Sequence, residues 1–312
     1  MRALALLAAP LLVSISFLAC ANNTNGDDDQ TTSGPTPVGT QGTTSGQGST
    51  TQLAGRDGGI QPPVEPDVDL ETISMGWEGA ARSYILARPR GYDPNLSYPL
   101  VVALHGNPST KEALRKQAPF ELGSKREAFI VYPDAAGGGW DLVSPPETNK
   151  DMRWIRALPG EIAKTANIDQ SRVYGFGFSG GAFFVSQMGC AFGDVFRAIS
   201  VNAGGAPDGS QSGWEKKANR CYVCPGGPIP TLVVHGMNDG TVVRASGAFA
   251  AKCAAETNNC ATSDVKSPSS PAECTKADGC GSPTELCLVQ GLGHMPWAQS
   301  FAKSWSFFQS AP

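Results

Sequence analysis

The stretch Arg172-Val-Tyr-Gly-Phe-Gly177-Phe178-Ser179-Gly180-Gly181-Ala-Phe-Phe-Val-Ser-Gln-Met188 sets a serine between a short aromatic and β-branched run and an apolar, helix-compatible segment. A reactive serine at a sharp strand-to-helix turn needs small neighbours, because its own backbone is strained and the following amide must point outward unshielded. Gly177, Gly180 and Gly181 meet that demand. The competing reading is a glycine-rich turn whose serine caps the helix, which explains the turn but nothing downstream of it.

Downstream, the apolar run Thr231-Leu-Val-Val-His235 leads into Gly236-Met-Asn-Asp239-Gly-Thr, and Gly293-His294-Met-Pro-Trp297 precedes a last aromatic segment. Ser179, Asp239 and His294 stand in the nucleophile, acid, base order of the α/β-hydrolase fold. The chain has three histidines, and His294 alone follows the candidate acid. His294 would take the serine proton, with Asp239 holding its tautomer. The plainer readings are an Asx turn at Asp239 and a packing or capping histidine at His294. An oxyanion hole needs two donors. Gly180 offers one amide, and the loop His105-Gly106-Asn107-Pro108 offers the other from Asn107 or Gly106, since Pro108 has no N–H. His105 and His235 are expected to brace these loops by hydrogen bonding.

Outward from this core, elements alternate. Residues 82–88 suit a first edge strand, and 98–104 a buried strand ending at His105. Residues 111–125 read as a helix bent near Pro119, 128–133 as a strand, and 151–166 as a helix that contains Pro159. Residues 169–172 read as a turn, 173–176 as a strand, 180–190 as a helix, and 196–201 and 230–235 as strands. Buried strands separated by helix-sized segments predict a mostly parallel sheet covered on both faces.

The chain has 312 residues and a formal charge of -4, without a basic run to follow a phosphate backbone, so nucleic acid is excluded as a partner. Residues 21–66 hold nine Gly and nine Thr, no aromatic residue and only Arg56 as a positive charge, too little apolar surface to offset ordering entropy. They read as a tether, with 1–19 an export signal, 20–70 the N-terminal leash and 71–312 the catalytic domain. Small Ala19 before Cys20 fits a bacterial lipoprotein signal, in which Cys20 carries the lipid and anchors the enzyme at a cell surface or outer membrane. The alternative is an ordinary secretory signal and a secreted protein. Eight further cysteines, Cys190, Cys221, Cys224, Cys253, Cys260, Cys274, Cys280 and Cys287, predict four disulfides in an exported chain. A redox or zinc role for Cys221-Tyr-Val-Cys224 lacks a nearby histidine or helical pattern. Residues 253–287 look like an insertion stapled by bridges, one of whose five cysteines pairs outside it.

Tyr84-Ile-Leu-Ala-Arg-Pro, Leu104-His-Gly, Tyr132-Pro-Asp134, Asp169 to Gly181, Val234-His-Gly-Met-Asn-Asp239 and Gly293-His294 together resemble the secreted feruloyl esterases, acetyl xylan esterases and polyhydroxybutyrate depolymerases. The resemblance spans about residues 71–310. It implies hydrolysis of carboxylic esters on or in an extracellular polymer, with Ser179, Asp239 and His294 at the triad positions and no metal or cofactor. Feruloyl or acetyl esters of xylan are the expected substrate, with Trp140 or Trp297 flanking the acyl group or sugar. Polyhydroxybutyrate cleavage, which would call for exposed apolar residues around the cleft, is the nearest alternative. A serine peptidase or a noncatalytic surface module stand further off. Nothing signals oligomerisation, so a monomer is expected.

Overall fold

The computed structural model describes residues 68–89 and 91–312; the export signal, Cys20 and residues 21–67 of the expected tether lie outside the described residues, and its last three residues, 68–70, belong to the first strand of the catalytic domain. The strands are β1 Val68–Trp77, β2 Ala80–Pro89, β3 Tyr98–Leu104, β4 Phe129–Pro133, β5 Ile168–Phe178, β6 Ala198–Asn202, β7 Thr231–Gly236, β8 Ser267–Pro268, β9 Cys274–Lys276 and β10 Thr284–Val289. The α-helices are α1 Lys111–Gln117, α2 Phe120–Gly123, α3 Lys150–Ala163, α4 Gly180–Ala191, α5 Arg244–Thr257 and α6 Ser300–Ser310. All ten strands form one sheet in the order β1-β2-β4-β3-β5-β6-β7-β10-β9-β8. Its centre, from β4 through β3, β5, β6 and β7 to β10, is parallel, and both margins are antiparallel.

Alternation along the central strands feeds two apolar layers. Leu100, Val102 and Leu104 of β3 face a core completed by α3, α4 and α5, with Trp154, Leu158, Phe184, Met188 and Ala251 buried in it. Val101 and Ala103 face the opposite core, where Leu114, Phe120, Phe301, Trp305 and Phe308 of α1, α2 and α6 pack. Helices on both faces of a mostly parallel sheet make this the α/β-hydrolase fold expected from the sequence.

The expected first edge strand is corrected. Residues 82–88 lie within β2, the second strand, and β1 forms the edge. The two pair antiparallel through a two-residue turn, Trp77 opposite Ala80, with Glu78 at φ 46° and Gly79 at φ 78°. Two left-handed residues are what a twist-matched hairpin turn requires. The helix at 111–125 breaks at Ala118–Pro119 into α1 and α2, as Pro119 foretold. The turn at 169–172 is real but sits inside β5: Tyr98 pairs with Ile168 and Leu100 with Val173, so the intervening residues bulge out of the ladder.

Four disulfides form: Cys190–Cys224, Cys221–Cys253, Cys260–Cys280 and Cys274–Cys287. The first two tie the end of α4 and the middle of α5 to the loop between β6 and β7. The stapled segment is smaller than 253–287, since Cys253 belongs to α5 and Cys287 to β10, a strand of the main sheet parallel to β7. No helix among the described residues is long and apolar enough to cross a membrane.

Candidate active site

Parallel strands deliver their C-terminal ends to one edge of the sheet, and three loops at that edge build the site. Ser179 sits between β5 and α4 with φ 54° and ψ -119°, a conformation strained for a residue with a side chain. Its amide donates to the Asn202 carbonyl at 2.9 Å, and its carbonyl accepts from Ala182 and Phe183, so the strained residue is held at both ends. The turn is tight enough that a Cβ on Gly177 would lie 2.2 Å from the Gly181 carbonyl oxygen, and one on Gly181 would lie 2.3 Å from that of Leu104. Glycine is required at both places by close approach.

Asp239 follows β7 and His294 follows β10, neighbouring strands whose loops are laced together. The Asn238 amide donates to the Leu292 carbonyl at 3.0 Å, and the Asn238 side chain accepts from the Gly291 amide at 3.2 Å. Adjacent strands and these cross-links explain how residues 55 positions apart in sequence meet. His294 Nδ1 lies 2.8 Å from Asp239 Oδ2, and His294 Nε2 lies 2.9 Å from Ser179 Oγ. With the carboxylate accepting from Nδ1, Nε2 is left with its lone pair toward the hydroxyl. Asp239 Oδ1 accepts from the Thr241 and Val242 amides at 2.9 and 2.8 Å. Burial opposes ionisation of Asp239, but the bonds from His294, Val242 and Thr241 outweigh it and hold the carboxyl below its ordinary value.

The loop after β3 faces Ser179. Asn107 folds its side chain onto the backbone of Trp140, accepting from the Trp140 amide at 2.9 Å and donating to its carbonyl at 3.1 Å. The same side chain packs on Gly180, where a Cβ would come within 2.5 Å of Asn107 Cγ. Among the described residues neither the Gly180 nor the Asn107 amide has an acceptor.

His105 and His235 brace loops, as expected. Buried His105 donates from Nδ1 to the Gly106 carbonyl at 2.7 Å and accepts at Nε2 from the Ala135 amide at 3.1 Å, which fixes its neutral tautomer. Burial pushes its ring below the ordinary histidine range. His235 Nε2 donates to the Val242 carbonyl at 2.8 Å.

The two tryptophans are placed otherwise than expected. Trp140 and Trp297 are 3% and 7% exposed, and neither lines the pocket at Ser179. Trp140 lies between the rings of His105 and Phe184, and its indole N–H donates to the His105 carbonyl at 2.8 Å, so it holds the Asn107 loop from beneath. Trp297 packs in the layer of α6. A sequence shows an aromatic residue but not which way its polar edge turns, and here the apolar body goes to the core.

The pocket itself encloses about 240 Å³, with Leu114, Phe178 and Pro108 as apolar walls and Ser109, Gln117 and Thr241 as polar ones. Leu114 and Gln117 come from α1, which the sequence marked only as a helix. Val243 and Met295, 62% and 53% exposed, follow the acid and base loops. Behind the site, Arg82 and Asp151 form a buried ion pair at 2.6 Å, and the second Asp151 oxygen accepts from the Asp141 amide, anchoring the segment after Trp140. The stapled segment contributes no residue to the pocket lining. No group of three His, Cys, Asp or Glu among the described residues is placed to hold a metal ion.

No protein-family model matches the chain. It is 28% identical over 248 residues to feruloyl esterase C of Emericella nidulans, an alignment covering 74% of this chain and 84% of that protein. It is 29% identical over 193 residues to poly(3-hydroxyalkanoate) depolymerase C of Paucimonas lemoignei, covering 51% of this chain and 44% of that one. The acetyl xylan esterase from Aspergillus awamori superposes with a TM-score of 0.62 over 77% of this chain and 99% of its own, at 17% identity, a likeness of fold. Homology thus points to the superfamily of feruloyl esterases, acetyl xylan esterases and polyhydroxybutyrate depolymerases, and the chain is a carboxylic ester hydrolase with a serine-hydrolase fold.

Proposed function

We propose that this enzyme cleaves feruloyl or acetyl esters of plant xylan through an acyl-enzyme on Ser179, with His294 as base and Asp239 as its orienting acid. The observation that carries the mechanism is the unbroken chain from Asp239 Oδ2 to His294 Nδ1 at 2.8 Å and from His294 Nε2 to Ser179 Oγ at 2.9 Å. Ser179 Oγ attacks the ester carbonyl while its proton passes to His294 Nε2, and the developing oxyanion takes the Gly180 and Asn107 amides. Collapse expels the alcohol, which receives that proton. Water, deprotonated by the same nitrogen, then attacks the acyl-enzyme and frees the acid and Ser179. A noncatalytic surface module would leave this geometry without a purpose, and the pocket lining has no carboxylate to anchor a peptide amine.

The substrate reading is supported by the similarity to feruloyl esterase C and by a pocket of about 240 Å³, ample for an aromatic acyl group between Leu114 and Phe178. Depolymerisation of a poly(3-hydroxyalkanoate) is a second reading, favoured by exposed Val243 and Met295 beside the acid and base and by the similarity to depolymerase C. Hydrolysis of feruloylated xylan, acetylated xylan and polyhydroxybutyrate film is the comparison that separates them; activity confined to the film overturns the first reading. Export belongs to the same proposal, with Cys20 lipidated and the residues from there to the start of β1 as a leash; four disulfides suit an oxidising compartment. Mass spectrometry of the processed N-terminus tests it.

A further inference from the structure

His235 is the buried titratable group nearest the proposed acid that the mechanism above does not use. Its side chain is fully buried at the end of β7. Nε2 donates to the Val242 carbonyl at 2.8 Å and lies 3.5 Å from Asp239 Oδ2, the oxygen that meets His294. Nδ1 is buried with no hydrogen-bond partner among the described residues. It faces Gly247 of α5, where a Cβ would lie 2.4 Å from it. Because a carbonyl can only accept, Nε2 is the ring's donor to Val242. Its N–H edge therefore points at once to the loop that carries the acid and to the acid's working oxygen.

From this arrangement we infer that His235 is a positioning residue for the proposed triad, acting through Asp239. Three N–H groups then fix the carboxylate loop. Thr241 and Val242 hold Oδ1, and His235 clamps the far side of the Val242 residue with the positive end of its N–H dipole near Oδ2, so that Oδ2 stays aimed at His294. At 3.5 Å the His235–Asp239 contact is electrostatic and short of a hydrogen bond, so the clamp on Val242 is the larger part of the effect. Gly247 belongs to the same device. Its missing Cβ is the space that the Nδ1 edge of the ring occupies against α5.

The inference rests on Ser179, His294 and Asp239 acting as proposed. Turnover of p-nitrophenyl acetate and thermal melting are measured for the wild type, Ser179→Ala, His235→Phe, His235→Gln and Gly247→Ala. His235→Phe keeps the volume and loses the donor, so kcat falls about tenfold while KM stays within twofold. His235→Gln, whose amide N–H reaches as far as Nε2, recovers most of that loss. Gly247→Ala forces the ring off its place with its chemistry intact, and kcat falls several-fold. A folded His235→Phe with wild-type kcat, or a His235→Gln as impaired as His235→Phe, overturns the inference. If His235→Phe does not fold, Gly247→Ala decides, and unchanged kcat in that folded variant overturns it equally. Ser179→Ala separates the two levels: turnover surviving there defeats the triad, whereas turnover lost there but unaffected at His235 and Gly247 defeats this inference alone.

Discussion

Replacing Asn107 by alanine tests the oxyanion loop without touching any proton-transfer group. The proposed donor is the Asn107 amide, which the substitution keeps, so any loss of activity reports how that amide is held. Two side-chain hydrogen bonds disappear, the 2.9 Å bond from the Trp140 amide and the 3.1 Å bond to its carbonyl. At about 1 kcal/mol each they amount to ~2 kcal/mol of restraint, or roughly a thirtyfold shift toward loop positions in which the amide misses the oxyanion. The ceiling is the ~10²–10³ cost of losing one donor outright. Because the interaction develops in the transition state, kcat falls and KM barely moves. Asn107→Asp is isosteric but fares at least as badly: one oxygen still accepts from Trp140, the other opposes the Trp140 carbonyl, and a negative charge now borders the developing oxyanion. Steady-state kinetics on p-nitrophenyl acetate, with melting curves to verify folding, reads both variants. Activity within twofold of wild type for a folded Asn107→Ala, or wild-type activity for Asn107→Asp, refutes the reasoning.

Arg82→Met leaves Asp151 buried and uncompensated behind the site, at a cost of about 3–5 kcal/mol, and calorimetry records a melting point lower by roughly 10 °C. Asp169 is held down to about 2 by hydrogen bonds from Ser171 and Arg172. Since that lies below its unfolded value, its stabilisation is fully present above the unfolded value and is lost as the pH falls through about 2; melting of Asp169→Asn lags wild type at pH 6, and the gap narrows as the pH falls toward about 2. Cys260 and Cys280 close a loop of sequence separation 20, so replacing both by serine lowers stability by about 3 kcal/mol in urea titration. The same double variant keeps kcat/KM, because the stapled segment is absent from the pocket lining.

What the sequence disclosed and what it concealed follow from the range of the forces involved. The elbow was legible because Gly177, Gly180 and Gly181 are a local requirement written beside Ser179, and the order Ser179, Asp239, His294 follows from strand ends that the fold lays side by side. The break at Pro119 was legible for a similarly local reason. The β1 strand was hidden because it is an edge strand with one covered face: Ile73, Met75 and Trp77 are only partly buried, and its polar face continues the composition of the tether. The β10 strand was hidden behind Cys287, which drew it into the stapled segment although it pairs with β7. Trp140 was misplaced because its role depends on a carbonyl at His105, 35 positions away, and no local pattern records such a partner. The clamp of His235 on Val242, seven residues on, depends on the turn at Asp239, which sequence names but does not aim.

The central claim is that Ser179, driven by His294, becomes covalently acylated. Intact-protein mass spectrometry after exposure to a serine-directed phosphonate, followed by peptide mapping, tests it most directly. A single adduct on the peptide carrying Ser179, absent from Ser179→Ala and strongly slowed in His294→Ala, is the predicted result. An adduct that persists in Ser179→Ala, or ester turnover unchanged in that variant, contradicts the account.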